Sequence, residues 1–263
     1  MMSDAVLFSC PRCGAYRHLA ARPTDERVRC LGCEVFSPHD GRLFGRPDWK
    51  ATNDPFRMAE VLAALEREPG VRKRRLLTCG FGRTVFDWCR NPWFRDALDA
   101  AETWADAGER PNGVPRSRVK LRELDVPGQS VPDGSSLWAL APWSRDRLER
   151  LGWVRVALRA TDDDPRLWPN DVAPANRAVA AALVRDLVPN PFGSPEWNPE
   201  WSTAAARDLA EYIYTRRAFD VMPILADALQ DAGCENARVL NHCRADKTHA
   251  RGCWVLDAIL GLS

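Results

Sequence analysis

Cys10-Pro11-Arg12-Cys13 and Cys30-Leu31-Gly32-Cys33 are two Cys-x-x-Cys knuckles sixteen residues apart. Zinc takes four soft ligands in a tetrahedron, and each knuckle turns two thiolates toward one ion. The spacing falls in the range of zinc sites, and Gly14 and Gly32 stand where tight turns need small residues. Four sulfurs leave no coordination position open, so a Zn2+ held by Cys10, Cys13, Cys30 and Cys33 is structural, not catalytic. The competing readings are reduced thiols, two redox pairs, or an iron held by four thiolates. Redox pairs belong to a βαβ setting, which this stretch lacks. His18 and His39 flank the knuckles and read as surface residues, since the ligand demand is already met.

Around the knuckles lie short strand candidates: Val6 to Phe8, Tyr16 to Ala20, Arg27 to Cys30, and Val35-Phe36. Strands this short bury little by themselves, and a metal would staple them. Residues 8–36 resemble a zinc ribbon of the rubredoxin-like kind. The resemblance implies a structural Zn2+ and a platform that serves many partners, nucleic acids and proteins among them.

The whole chain has 263 residues, 45% hydrophobic and 28% charged, with a net charge of +1. That balance gives no global attraction to nucleic acid or to an anionic membrane. No run approaches the ~18 apolar residues of a membrane span. The first residues lack the basic start and apolar run of a secretory signal. A cytoplasmic chain is expected, in which nine cysteines stay reduced. Eleven tryptophans are scattered along it, which suits core packing better than a single stacking platform.

The expected fold is mainly α: a zinc ribbon over 1–50, a helical segment over 51–110, a Pro/Gly-rich linker over 111–135, and a helical C-terminal module over 136–263. Asn53 or Asp54, followed by Pro55, opens a helix with Phe56, Met58, Ala59, Leu62 and Leu65 on its apolar stripe. A second helix runs from Val71 to Cys89, weakened in the middle by Gly80 and Gly82. A third spans Trp93 to Ala107 and stops at Gly108. Residues 144–160 read as helix or strand, with helix preferred. Pro174 to Val188 is an Ala-rich helix. In the tail, Ser202 caps a helix to Arg216 with Leu209, Tyr212 and Ile213 inward. Asp220 caps the next, with Ile224, Leu225, Ala228 and Leu229 as its stripe. Asn236 opens a short helix to Cys243, and the last runs from Cys253 or Trp254 to Leu260.

Two further constellations carry chemistry. Arg72-Lys73-Arg74-Arg75 has the charge to grip phosphates, but no aromatic interleaving follows it, and a solvated helix start is the plainer reading. Cys234, His242, Cys243, His249 and Cys253 fall within twenty residues. They read as packed core, as a second metal site, or as a Cys/His nucleophile pair. A helix start at Cys253 would activate that thiol if it were exposed. Cys79 and Cys89 read as core. No phosphate loop, His-Glu-x-x-His helix or nucleophile elbow is present.

The tail also carries a family likeness. Leu225-Ala226-Asp227-Ala228-Leu229-Gln230-Asp231-Ala232-Gly233-Cys234, Asn241-His242-Cys243-Arg244 and His249-Ala250-Arg251-Gly252-Cys253-Trp254-Val255-Leu256-Asp257 resemble a module shared by planctomycete-type bacterial proteins. Arg74 to Gly108 resembles the helical segment that often precedes it there. In those proteins the segment matching Cys79 to Arg90 often holds extra cysteines. Phe81 and Gly82 stand there in this chain, against a metal site in that helix. The resemblance implies a helical accessory or interaction module without an established activity. The leading expectation is a zinc-stabilised cytosolic binding or adaptor protein with a protein partner, not an enzyme. The alternatives are nucleic-acid binding through the ribbon and Arg72 to Arg75, and an enzyme using Cys243 or Cys253 with His242 or His249.

Overall fold

The computed structural model describes residues 6–10, 16–19, 27–29, 36–38, 43–86, 92–108, 174–193 and 196–262. Cys13, Cys30, Cys33, Cys89, His39, the 111–135 linker and the 144–160 stretch lie outside them, as does the His18 side chain.

The architecture is mainly helical with a small N-terminal β portion. Strands β1 (Val6–Ser9), β2 (Tyr16–Leu19) and β5 (Leu43–Gly45) form an antiparallel sheet in the order β2-β1-β5. β3 (Arg27–Arg29) and β4 (Phe36–Pro38) pair separately. β1 is buried on both faces, and its alternation divides the work. Leu7 joins Phe44 and Trp49 in the core beneath the helices, while Val6 and Phe8 pack with Cys10, Val28 and Leu43. The sheet and the helices therefore share one apolar core across the 1–50 boundary. A short helix, α1 (Arg46–Ala51), delivers Trp49 to that core; the sequence had suggested no helix there.

α2 (Pro55–Ala64) starts where Asp54 accepts hydrogen bonds from the Phe56 and Arg57 amides, with Pro55 in the first turn. α3 (Val71–Phe86) and α4 (Pro92–Ala107) lie side by side, and α5 (Pro174–Leu187) packs on α2 and α3. Gly80 has a reason to interrupt α3: a Cβ there would come within 3.1 Å of Ala250 Cβ and 3.3 Å of Leu183. Its bareness lets the tail and α5 approach the helix.

The tail is α6 (Ala204–Arg216), α7 (Met222–Asp231), α8 (Ala237–Arg244) and α9 (Trp254–Leu260) around a second core. Two expected caps move. Thr203, not Ser202, accepts from the Ala206 amide. Asp220 lies inside a 3-10 turn, Phe219–Val221, and caps nothing. The buried faces also differ from the expected ones. Tyr212 and Ile224, expected inside, are exposed, and Tyr214 and Met222 are buried in their place. Asn236 caps α8 as expected. Among the described residues no helix is long and apolar enough to cross a membrane.

A seam of ion pairs fastens the tail to α3 and α4. Arg72 grips Asp257 through both terminal nitrogens (2.7 and 3.0 Å) and reaches Asp106 (2.9 Å) and Tyr214 Oη (2.6 Å). Buried Glu102 takes Arg83 and Arg217, which also share Asp99. Arg251 adds a 3.0 Å ion pair to Asp106 and lies over the Tyr214 ring.

Candidate functional site

The deepest polar site lies where α5 meets the tail. Asp186 sits in the last turn of α5, a helix end that disfavours an anion through the helix dipole. It is fully buried, so it needs donors. It has them. His249 Nδ1 lies 2.7 Å from Oδ1, the Ala250 amide donates to Oδ2 at 2.9 Å, and His242 Nε2 stands 3.3 Å from Oδ1. Cys253, at the start of α9, places its Sγ 3.1 Å from His242 Nε2. One donor atom from each of Asp186, His242, His249 and Cys253 falls within 4.8 Å of the others, so this buried cluster can hold a metal ion.

The surroundings fix the protonation pattern. The Trp254 indole N–H donates to His242 Nδ1 at 2.8 Å, and Lys247 Nζ is also 2.8 Å from that atom. An indole can only donate, so Nδ1 is an acceptor and the neutral ring carries its proton on Nε2, aimed at Asp186 and Cys253. Burial pushes His242 down to about 4, against the pull of Asp186. Burial alone would raise Asp186, but its bonds from His242 and His249 outweigh that and hold it well below the ordinary carboxylate range. Burial lowers Lys247. It raises the Cys253 thiol far above the ordinary value, and the Asp186 charge adds to this.

Of the five tail residues singled out by sequence, three converge here. Cys234 and Cys243 do not; both are buried in the tail core. The nucleophile reading of Cys253 requires exposure, and the residue has none. Both Asp186 and Cys253 face the same nitrogen of His242, so no relay from carboxylate through imidazole to sulfur exists. For Cys243, burial pushes the thiol up to about 12. Asp186 was missed because it lies 56 residues before His242 in sequence. Its only local signal is a carboxylate at i+3 from Leu183, on the buried stripe of α5.

The basic run points inward. Arg72 is bound as described above. Lys73 Nζ meets the Leu187 carbonyl (2.7 Å) and Asp257 (3.0 Å). Arg74 donates to the Pro69 carbonyl, and Arg75 lies 4.4 Å over the Trp104 ring. These geometries tie helices together and do not present a phosphate-binding row.

Above the cluster opens a cleft of about 530 Å³. His242, Lys247 and Trp254 line it, together with Lys50, Arg185 and Arg238. None of its described lining residues is acidic. Arg185 donates to the carbonyls of Trp49 and Thr52, and Arg238 to that of Gly193, so both are held in place by groups that do not neutralise their charge.

No protein-family model, curated protein or solved structure matches the chain.

Proposed function

We infer that the chain is a zinc-stabilised, non-enzymatic binding protein of the cytosol, with the four-cysteine ribbon as one stabilising centre and the helical body as the recognition surface. The observation that supports this is what the cleft lining leaves out. The carboxylate and the thiol, Asp186 and Cys253, are both at 0% exposure and are absent from the lining that His242 joins. The accessible concave surface is instead lined by Lys50, Arg185, Arg238 and Lys247. A sealed thiol with a raised pKa does not attack a substrate. Cations fixed by backbone carbonyls suit an acidic segment of a protein partner, which charge complementarity would steer into place.

The test is fluorescence anisotropy of a labelled hexaglutamate peptide with the full chain. Saturable binding that weakens with added salt and is lost in the Arg238→Glu variant supports the reading. Absence of binding at low salt, or binding unchanged by Arg238→Glu, refutes it. Metal analysis of the same preparation, with and without Cys13→Ser and Cys33→Ser, tests the ribbon zinc separately.

A further inference from the structure

We propose that Asp186, His242, His249 and Cys253 form a binding site for one divalent ion of the zinc class, separate from the four-cysteine site. The proposal does not depend on the anionic partner inferred for the cleft.

Three observations carry it. The first is geometry. A tetrahedral zinc with bonds of about 2.0–2.3 Å places its ligand atoms about 3.3–3.8 Å apart. The separations His242 Nε2–Cys253 Sγ (3.1 Å) and His242 Nε2–Asp186 Oδ1 (3.3 Å) are near that spacing, and one ligand atom from each of the four residues lies within 4.8 Å of the others. The second is an orphaned atom. His249 Nε2 is buried without any hydrogen-bond partner, in a side chain that is 3% exposed. Most buried polar atoms in folded proteins find partners, and this bare one stands beside three metal-ligand side chains. With the Nδ1 proton donated to Asp186, the bare Nε2 carries the ring's lone pair and is the nitrogen open to an ion. The third is the donor set. Two imidazoles, a thiol and one carboxylate select zinc-like ions over magnesium or calcium, which prefer oxygen shells.

The supporting contacts are also in place. Ala250 N–H fixes Asp186 Oδ2, and Trp254 and Lys247 fix the His242 ring. Ligands must be deprotonated at the coordinating atom to bind, and a ligating imidazole stays neutral. Binding releases the Cys253 thiol proton and one Lys247 proton to solvent; the His242 proton moves from Nε2 to Nδ1, where the Lys247 amine accepts it and the Trp254 N–H gives up that atom. The ion's two positive charges then face the Asp186 carboxylate and the Cys253 thiolate, so the buried site stays balanced. The ion would tie the end of α5 to α8 and the 245–253 loop, beside the ion pairs that Arg251 makes to α4.

The experiment uses the full chain carrying Cys13→Ser and Cys33→Ser, which leaves the tail intact. The protein is stripped with chelator and titrated with Co2+. The expected result is one equivalent bound, with intense tetrahedral visible bands and a near-ultraviolet thiolate-to-cobalt transition. Adding Cys253→Ser removes that transition, whereas adding Cys243→Ser, a buried thiol outside the cluster, leaves it. A tail-intact protein with native helical circular dichroism that binds no Co2+ overturns the proposal, whether or not the Cys253 variant folds. So does a thiolate transition that survives Cys253→Ser.

Discussion

Arg72 and Asp257 are 185 residues apart in sequence and form a two-point bond of 2.7 and 3.0 Å, with Asp257 only 3% exposed. Burial opposes the guanidinium charge, but the bond to Asp257 outweighs it and raises Arg72 further. Breaking one side of a buried pair costs about 3–5 kcal/mol when the other charge is left alone, and Lys73 Nζ, 3.0 Å from Asp257, reduces that here. Arg72→Ala is expected to lower the free energy of urea unfolding by about 2–3 kcal/mol. Arg72→Lys should recover little, because an ammonium cannot reproduce the planar fork that also reaches Asp106 and Tyr214. Equal stability of Arg72→Lys and the parent protein would show that the fork does not matter.

Gly252 joins the same seam from the other side. Its φ is +88°, and a Cβ there would sit 2.8 Å from Leu76 Cδ1 and 3.3 Å from Leu76 Cβ. Gly233 has a similar φ of +83° with open space around it. Gly233→Ala therefore carries only the backbone cost, roughly 1 kcal/mol, and Gly252→Ala adds a clash in the core, for a total of roughly 2–4 kcal/mol. Denaturant melts of the two variants compare them directly. An equal loss in both would remove the packing explanation.

These long-range ties explain what the sequence could and could not convey. The helices were legible wherever a local device marks them. Asp54 with Pro55, Asn236, Gly108 and Gly233 all stand at helix ends, as their chemistry requires. Facing was less legible in the tail. The buried stripe of α6 runs through Ala206, Ala210, Ile213 and Tyr214 and that of α7 through Met222, Leu225, Ala226 and Leu229; alanines mark such a face weakly in sequence, and Tyr212 and Ile224 lie outside it. The basic run looked like either a solvated face or a phosphate grip because its partners are remote. Asp106 lies 34 residues from Arg72, and Asp257 lies at the far end of the chain. Asp186 was hidden for the same reason. No spacing rule links a helix carboxylate to a histidine three helices later.

The metal-free cluster sets an acid limit. His242 is held at about 4 against an ordinary 6.5, so its contribution is complete above 6.5 and is lost as pH falls toward 4, where the unfolded chain already binds the proton. That contribution is on the order of 3 kcal/mol. Asp186 is also held below its ordinary 3.8, so its share disappears below that value. Stability of chelator-treated protein should therefore decline from about pH 6.5 downward, and His242→Gln should flatten the upper part of the decline. Constant stability between pH 7 and 4 would contradict the buried neutral ring.

The buried thiols set the alkaline limit, with the opposite sign. Burial raises Cys243 to about 12 from an ordinary 9.0, and it raises Cys79 and Cys253 as well. A raised acid group contributes fully below its unfolded value. The contribution is lost as pH climbs from about 9 through the folded value, because the unfolded chain ionises first. The same sealing controls reactivity, since the thiolate is the nucleophile and these thiols remain protonated and inaccessible. With a maleimide at pH 8, site-resolved mass spectrometry should find Cys79, Cys243 and Cys253 unlabelled in native protein and fully labelled in urea. Native labelling of Cys253 at the rate of an open thiol would reverse the order of the readings, because a reactive sulfur beside His242 would belong to an active site and not to a clamp.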